Sequence, residues 1–343
     1  MDYINYVKQQ PITGMTGFGG GATGLQFHSG SSNATAFRGN RAVISFAASP
    51  GASGPSNSQI DYFNLSSTGN ASNFGQLTVG RGFGASCAGG GGATSSRSVF
   101  GGGRIGGPNY TPQDVLDYVT IANTGQATDF GDLNYASTNP GGSCSNGMRG
   151  VWSHGTGASS SYVPTGHIDY FEIDTPANAQ DFGDLGNVGQ GGSSGQYWGS
   201  ACGSDEGRGC FGSTNPGSRS IYYIEIPTTG NASNFGQLFH ERSPTASSSD
   251  GSRGTWWGNG DNAAIDYITM STTGQASDFG DMAPGVQYAG GVANDTYGTV
   301  CGGDNDDGYK NTIQYVTIQT TANAQDFGNL TFQSRRGNAG SGD

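Results

Sequence analysis

Residues 116–133, LDYVTIANTGQATDFGDL, contain the pattern that decides the fold. An aliphatic residue, a polar residue and a Tyr open a β-rich run, and Phe-Gly follows fourteen residues after the aliphatic residue. The β-branched and aromatic run predicts a strand, the Asn-Thr-Gly segment predicts a turn, and Phe-Gly lies on a further strand. The pattern occurs seven times, beginning at Ile4, Ile60, Leu116, Ile168, Ile221, Ile265 and Ile313.

The spacing within each copy is constant, whereas the distance between copies varies from 44 to 56 residues. A repeat of this length indicates an array or a closed ring of similar units joined by variable loops. Each unit contains four predicted strands: a small-residue strand, an RGxxxGG strand, the Tyr strand and the Phe-Gly strand. In the Tyr strand, Ile168 and Tyr170 share one face while Phe171 and Ile173 share the other. Because both faces are apolar, the strand is predicted to be covered on two sides, as in blades stacked around an axis.

The sequence therefore predicts an all-β, seven-bladed β-propeller of four-stranded antiparallel blades, forming one domain over residues 1–343. The N- and C-terminal segments would close the ring, since GNAGSGD at 337–343 is similar to the small-residue strands. A six-bladed ring with an N-terminal arm is the alternative, because only six RGxxxGG-type strands are visible. The predicted structural anchors are the recurrent aromatic residues Tyr62, Phe74, Tyr118, Phe130, Tyr170, Phe182, Tyr223, Phe235, Tyr267, Phe279, Tyr315 and Phe327.

Two charged positions also recur, which favours a structural role over a site. An Arg opens the RGxxxGG strand at Arg41, Arg97, Arg149, Arg208 and Arg253, with Tyr297 in the sixth place. An Asp recurs in the Tyr strand at Asp61, Asp117, Asp169 and Asp266. The hypothesis is that these Arg and Asp residues contact each other within or between blades.

Composition argues against several functions. The formal net charge is −12, so a basic groove for nucleic acid is not expected. No apolar run of about 18 residues predicts a membrane span, and the N-terminus lacks the basic and apolar regions of a secretory signal. The five cysteines lie at repeat positions without a CxxC pair, which predicts buried thiols rather than disulfides or a metal site. None of the four histidines has metal-ligand spacing, and no catalytic motif is present. The chain is predicted not to be an enzyme.

Aromatic residues outside the repeat pattern are the candidate ligand-binding residues, because exposed rings stack on sugar faces. They are Tyr197 and Trp198 in a Gly/Ser-rich insertion, Trp256 and Trp257 on an RGxxxGG strand, and Tyr309. Packing between blades is the alternative for the tryptophans. Asp304, Asp306 and Asp307 form an acidic loop whose oxygens could bind Ca²⁺, although the distal Glu of an EF-hand is missing. No other cofactor is expected.

The repeat resembles the kelch-type β-propeller repeat. VFGGG (99–103), LDYV (116–119) and DFGDL (129–133) correspond to its Gly-Gly strand, its Tyr strand and its aromatic-x-x-Leu motif, and Arg81 or Arg242 to its later Arg. Phe replaces the kelch Trp, and the Asp-Tyr order is inverted. This resemblance implies a propeller and little about function, because propellers have many unrelated activities.

Runs such as YVTIANTGQATDFGDL also resemble repeats of virion and tail-associated proteins of bacteriophages, particularly marine ones. That resemblance implies a structural or attachment protein of a virion, made in the host cytoplasm and present in multiple copies in a larger assembly. Its partners would be other virion proteins or a host surface glycan. A stand-alone, lectin-like carbohydrate-binding propeller is the alternative, and a propeller glycosidase or lyase is a third reading.

Overall fold

The computed structural model describes residues 39–45, 58–82, 85–91, 95–105, 111–137, 139–156, 166–185, 200–203, 207–212, 219–242, 244–259, 262–334 and 338–342. The chain divides into two units, Met1–Asn33 and Ala34–Asp343. All described residues belong to the second unit, and the repeat at Ile4 lies outside them. The prediction of one domain over 1–343 therefore stays a prediction for the first unit.

The second unit is all-β in its described residues. Its strands are β1 (Arg41–Ser45), β2 (Gln59–Asn64), β3 (Ser72–Gln76), β4 (Ala85–Gly91), β5 (Ser95–Gly101), β6 (Arg104–Ile105), β7 (Thr111–Thr120), β8 (Thr128–Ser137), β9 (Asn139–Ser145), β10 (Arg149–Thr156), β11 (His167–Glu172), β12 (Gln180–Asp184), β13 (Ser200–Gly203), β14 (Arg208–Gly212), β15 (Ser220–Glu225), β16 (Ser233–Gln237), β17 (Ala246–Ser249), β18 (Arg253–Asn259), β19 (Asn262–Thr269), β20 (Ser277–Asp281), β21 (Gly290–Ala293), β22 (Tyr297–Cys301), β23 (Asp304–Asn305), β24 (Gly308–Thr317), β25 (Gln325–Ser334) and β26 (Asn338–Gly342).

These strands form six antiparallel sheets, each a blade with the predicted strand order from the inner to the outer edge. Blade 1 is β26-β1-β2-β3, blade 2 is β4-β5-β7-β8, blade 3 is β9-β10-β11-β12, blade 4 is β13–β16, blade 5 is β17–β20, and blade 6 is β21-β22-β24-β25. The short strands β6 and β23 add a fifth strand to blades 2 and 6.

The ring closes with six blades, so the prediction of seven is wrong for the described chain. Successive inner strands contact one another, and β21 of blade 6 contacts β26 of blade 1. Strand β26 pairs antiparallel with β1, with Arg41 opposite Gly342 and Ser45 opposite Asn338. The C-terminal small-residue segment therefore does close the ring, as the sequence predicted, but it completes a blade whose other strands start at Arg41.

The buried apolar side chains of the described residues form six clusters, each between two adjacent blades. The two faces of the Tyr strand belong to different clusters: Ile168 packs toward blade 4, whereas Phe171 and Ile173 pack toward blade 2. The prediction that this strand is covered on both sides is therefore confirmed. Burying two apolar faces per blade also explains why the blades stack face to face around an axis.

The predicted aromatic anchors form one edge-on pair in every blade. Ring centroids are 5.6–6.1 Å apart with interplanar angles of 78–83°. Such T-shaped pairs add about 0.5–1.5 kcal/mol to the burial of the rings. The pairs are Tyr62–Phe74, Tyr118–Phe130, Tyr170–Phe182, Tyr223–Phe235, Tyr267–Phe279 and Tyr315–Phe327.

Each Phe-Gly strand is bonded along its outer edge to the turn of the next blade. In blade 3, for example, Gly230 N donates to Phe182 O and Ala232 N donates to Asp184 O, both at 2.8 Å. Gly69 N and Ala71 N of blade 1 bond Phe327 O and Asn329 O of blade 6 in the same way. These bonds cover edges that would otherwise be free to pair with another chain.

Candidate binding face

The two ends of the ring differ in their connections. The end called here the turn face has short turns between the first and second strands of a blade, and the turns between the third and fourth strands. In three blades a side-chain oxygen accepts the N–H three residues later: Asn146 from Arg149 (2.9 Å), Asp250 from Arg253 (2.8 Å) and Asn294 from Tyr297 (2.7 Å). Such Asx turns fix the backbone locally.

The opposite end, called here the loop face, has all the connections of variable length. Second and third strands are joined by residues 46–58, 102–110, 157–166, 213–219, 260–261 and 302–307. Consecutive blades are joined there by residues 77–84, 138, 185–199, 238–245, 282–289 and 335–337. Recognition residues are typically placed on variable loops held by a rigid scaffold, so the loop face is the candidate binding surface.

Beneath the loop face, buried carboxylates join adjacent blades. Asp61, Asp117, Asp169 and Asp266 are buried at equivalent positions of the third strand. Asp61 accepts the N–H of Thr331 at 2.8 Å, and Asp169 accepts the N–H of Asn134 at 2.8 Å, in each case from the end of the preceding blade. In blade 6 Gln314 replaces the Asp and accepts the N–H of Ala283 at 2.7 Å. Each carboxylate is therefore used within its own junction.

Two junctions contain a buried Arg beside the Asp. Arg81 Nη1 lies 2.6 Å from Asp117 Oδ2, with both side chains inaccessible to solvent, and Arg81 Nη2 donates to the carbonyl of Phe100. Arg242 Nη2 lies 3.3 Å from Asp266 and donates to the equivalent carbonyl of Trp256 at 3.0 Å. Burial lowers the pKa of Arg242, and the Asp266 carboxylate opposes this effect. These are the two arginines that carried the kelch resemblance.

The contacts of the RGxxxGG arginines differ from that hypothesis: Arg149 and Arg208 pair with Glu172 at 2.9 Å and Glu225 at 3.1 Å in their own blades. Each guanidinium instead lies 4.2–4.6 Å from the Tyr ring centroid of its own blade, which is cation–π geometry. The same guanidinium also donates to a carbonyl of the next blade, as from Arg41 to Ala122 O at 2.7 Å and from Arg253 to Ile318 O at 2.9 Å. In blade 6, the ring of Tyr297 packs edge-on against Tyr315 instead. These residues stabilise the rim of the turn face.

Three described histidines pair with carboxylates on the loop side. His154 Nε2 lies 2.8 Å from Asp169, His240 Nδ1 lies 2.7 Å from Asp266, and His167 Nδ1 lies 3.0 Å from Asp184. His154 is buried, and its Nδ1 has no hydrogen-bond partner among the described residues. His28 lies outside them.

The predicted ligand-binding residues do not come together. Tyr197 and Trp198 lie outside the described residues. Trp256 and Trp257 are fully buried, so neither ring offers a face to a ligand, and the alternative of packing between blades is the one observed. Tyr309 is half-buried at the start of β24.

The three aspartates of the acidic loop differ in exposure. Asp304 is buried in β23, whereas Asp306 and Asp307 are exposed in the turn that follows. Asp307 lies 3.7 Å from Lys310 Nζ, an opposite charge that competes with a cation. No group of three or more His, Cys, Asp or Glu side chains that could hold a metal ion is found in the described part of the chain, and Ca²⁺ binding by these aspartates stays a prediction.

Sequence reasoning missed the exposed aromatic residues of the loop face. Tyr135 and Phe239 are 48% and 52% exposed. Both come one or two residues after the Leu of the Phe-Gly strand, where the chain leaves a blade. An aromatic residue one or two positions after that Leu is the signal that could have found them. Met148, the third exposed large hydrophobic residue of the described chain, lies on the turn face.

Two comparisons with known proteins were negative. No protein-family model matches the sequence, and no curated protein is significantly similar to it. None of the described residues forms a helix that is long and apolar enough to span a lipid bilayer. The fold and the junction chemistry therefore carry the functional argument.

Proposed function

We propose that the protein is a non-enzymatic structural and interaction component of a phage particle, present in several copies. It acts as a rigid ring that presents the loop face to another virion protein or to the host surface. The observation that carries this proposal is the contrast between the two faces of the ring. One face has short turns, whereas the other has connections of widely different length.

The junctions support a scaffold role. Buried carboxylates and arginines bond neighbouring blades, edge-on aromatic pairs pack within each blade, and the outer edges are bonded to the next blade. A ring held in this way can vary its loops without losing its shape. The resemblance of the Phe-Gly repeats to phage virion proteins supports the location of the chain in a phage particle, and the acidic composition suits a solvent-exposed surface.

The buried aspartates also favour a non-enzymatic role. A glycosidase needs two carboxylates that face one substrate, about 5–10 Å apart. Asp61, Asp117, Asp169 and Asp266 lie in four different blades, and each is buried in its own junction. These four carboxylates therefore have a structural role in the junctions between blades.

The test is the composition of purified particles. Quantitative mass spectrometry of density-purified virions should detect the chain at a constant ratio to the major capsid protein. An antibody against the chain should label the particles in electron micrographs. Recovery of the chain only in the soluble fraction of the lysate would contradict the proposal.

A stand-alone carbohydrate-binding propeller is the second candidate, favoured by the exposed Tyr135 on the loop face. It predicts glycan binding by the purified chain together with absence from particles. The two measurements separate the candidates.

A further inference from the structure

The loop face contains one aromatic platform built from two blades. Tyr135, at the end of β8 in blade 2, stacks on the imidazole of His167, at the start of β11 in blade 3. The ring centroids are 4.9 Å apart and the planes differ by 12°. The two rings thus form a nearly parallel stack across the junction.

The platform is supported from the side and from within. His167 Nδ1 lies 3.0 Å from Asp184 Oδ1, and the two side chains are 38% and 49% exposed. The buried ring of His154 packs edge-on against Tyr135, with centroids 5.8 Å apart, and is held in turn by Asp169. These contacts fix both rings before any ligand arrives, which lowers the entropy cost of binding.

Two variable connections adjoin the platform residues in the sequence. Residues 157–166 end directly before His167, and residues 185–199 begin directly after Asp184. The platform itself is defined by described residues alone.

We propose that Tyr135, His167 and Asp184 bind a neutral sugar unit of a host-surface polysaccharide. The C–H face of a pyranose matches an exposed aromatic surface, and a carboxylate accepts hydrogen bonds from the sugar hydroxyl groups. The exposed Asp184 carboxylate and the net charge of −12 disfavour anionic sugars. The inference rests on the proposed role of the loop face in contacting a partner, and it names the chemistry of that partner.

The probe is a panel of neutral gluco-, galacto- and manno-oligosaccharides, with sialylated and uronic-acid counterparts. The intact chain should bind at least one neutral probe and prefer it to its charged counterpart. Titration calorimetry with that probe should show that Tyr135→Ala and His167→Ala each weaken binding roughly ten-fold or more. Tyr135→Phe should retain binding because the stack needs only the ring.

Phe239→Ala is the matched control. Phe239 is also half exposed beside a histidine, but its ring meets His240 at 79° and lies at the junction of blades 4 and 5. This variant should bind the probe like the parent chain. Thermal unfolding of every variant distinguishes loss of the platform from loss of the fold.

Three results would overturn the inference: no binding to any neutral probe, unchanged binding by a folded Tyr135→Ala chain, or equal losses in Tyr135→Ala and Phe239→Ala. None of them bears on whether the chain is part of a particle, which the composition of purified virions tests separately.

Discussion

Replacing Gly131 by Ala should open the junction between blades 2 and 3. Gly131 has a φ of +141°, and a Cβ placed on it would lie 2.5 Å from the carbonyl oxygen of Ala177 in the next blade. An L-residue in that backbone region costs about 1–3 kcal/mol. The steric conflict with a backbone atom adds ~1–3 kcal/mol, because the neighbouring turn cannot move away without losing its own bonds. We therefore expect the free energy of unfolding to fall by roughly 2–6 kcal/mol.

Gly125→Ala is the matched control for this change. Gly125 lies in the turn of the same blade, and a Cβ placed on it would have no atom within 4 Å. Its stability should be unchanged or slightly higher, because Ala reduces the entropy of the unfolded chain. Urea unfolding followed by circular dichroism measures both variants against the parent chain.

Hydrogen exchange locates the damage. Ala179 N donates to Asp132 O at 2.8 Å across this junction, so its amide should lose protection in Gly131→Ala. The amides of the junction between blades 4 and 5 should keep theirs. If Gly131→Ala unfolds at the same urea concentration as Gly125→Ala, the Phe-Gly strands do not clamp neighbouring blades, and the reasoning fails.

Asp117→Asn should lower the free energy of unfolding by about 3–5 kcal/mol, because it leaves the buried Arg81 guanidinium without its counter-charge. Asp61 has only neutral partners, so Asp61→Asn should lower it by about 1–2 kcal/mol. Equal losses of the two variants in urea unfolding would contradict this. Deleting strand β26 should lower the melting temperature and cause self-association, since the free edge of β1 is exposed, and light scattering at constant protein concentration checks it. Burial and then repulsion by neighbouring carboxylates raise the pKa of Asp132 in the folded chain. The charged Asp132 therefore destabilises the fold above this raised pKa, and the effect is lost as the pH falls below the ordinary aspartate value. Asp132→Asn should raise the urea midpoint of unfolding near neutral pH and leave it unchanged in acid. Burial raises the pKa of Cys301 to about 12, so this thiol should not react with maleimide in the native chain but should react in urea. Mass-spectrometric peptide analysis measures the labelling, and labelling of the native chain would contradict the burial of Cys301.

The sequence predicted the strand order and the packing of the Tyr strand, because both follow from period-two alternation within one repeat. It did not predict the partners of the charged residues. Arg41 lies opposite Asn64, whereas Asp61 lies opposite Ile44, so the two charges are near opposite ends of neighbouring strands. That separation depends on the register between β1 and β2, and the register cannot be read from the sequence because the loop that joins the two strands varies in length between blades. Opposite charge alone was therefore a misleading guide.

The tryptophans show a second limit of single-repeat reasoning. Trp256 lies opposite Asp266, as Trp152 lies opposite Asp169, so it occupies a regular repeat position and not an exposed one. Its volume is accommodated by a glycine of the preceding blade: a Cβ on Gly212 would lie 2.4 Å from the Trp256 Nε1. Such compensation joins residues of different blades and cannot be seen within one unit. The same holds for Tyr135 and His167, which meet only because two blades are neighbours.

The number of blades follows from the way each strand is used. The Phe-Gly strand is the outer strand of its blade and is hydrogen-bonded to a turn of the next blade. In the described chain six such strands pair with six turns around the ring, and the Phe-Gly strand of blade 6 is bonded to Gly69 and Ala71 of blade 1. The RGxxxGG strand, by contrast, pairs with both the inner strand and the Tyr strand of its own sheet, so no complete blade can exist without one. Five such strands that contain the Arg and one that opens with Tyr297 therefore specify six blades in the described chain, and in repeats of this kind the doubly paired strand is the one to count.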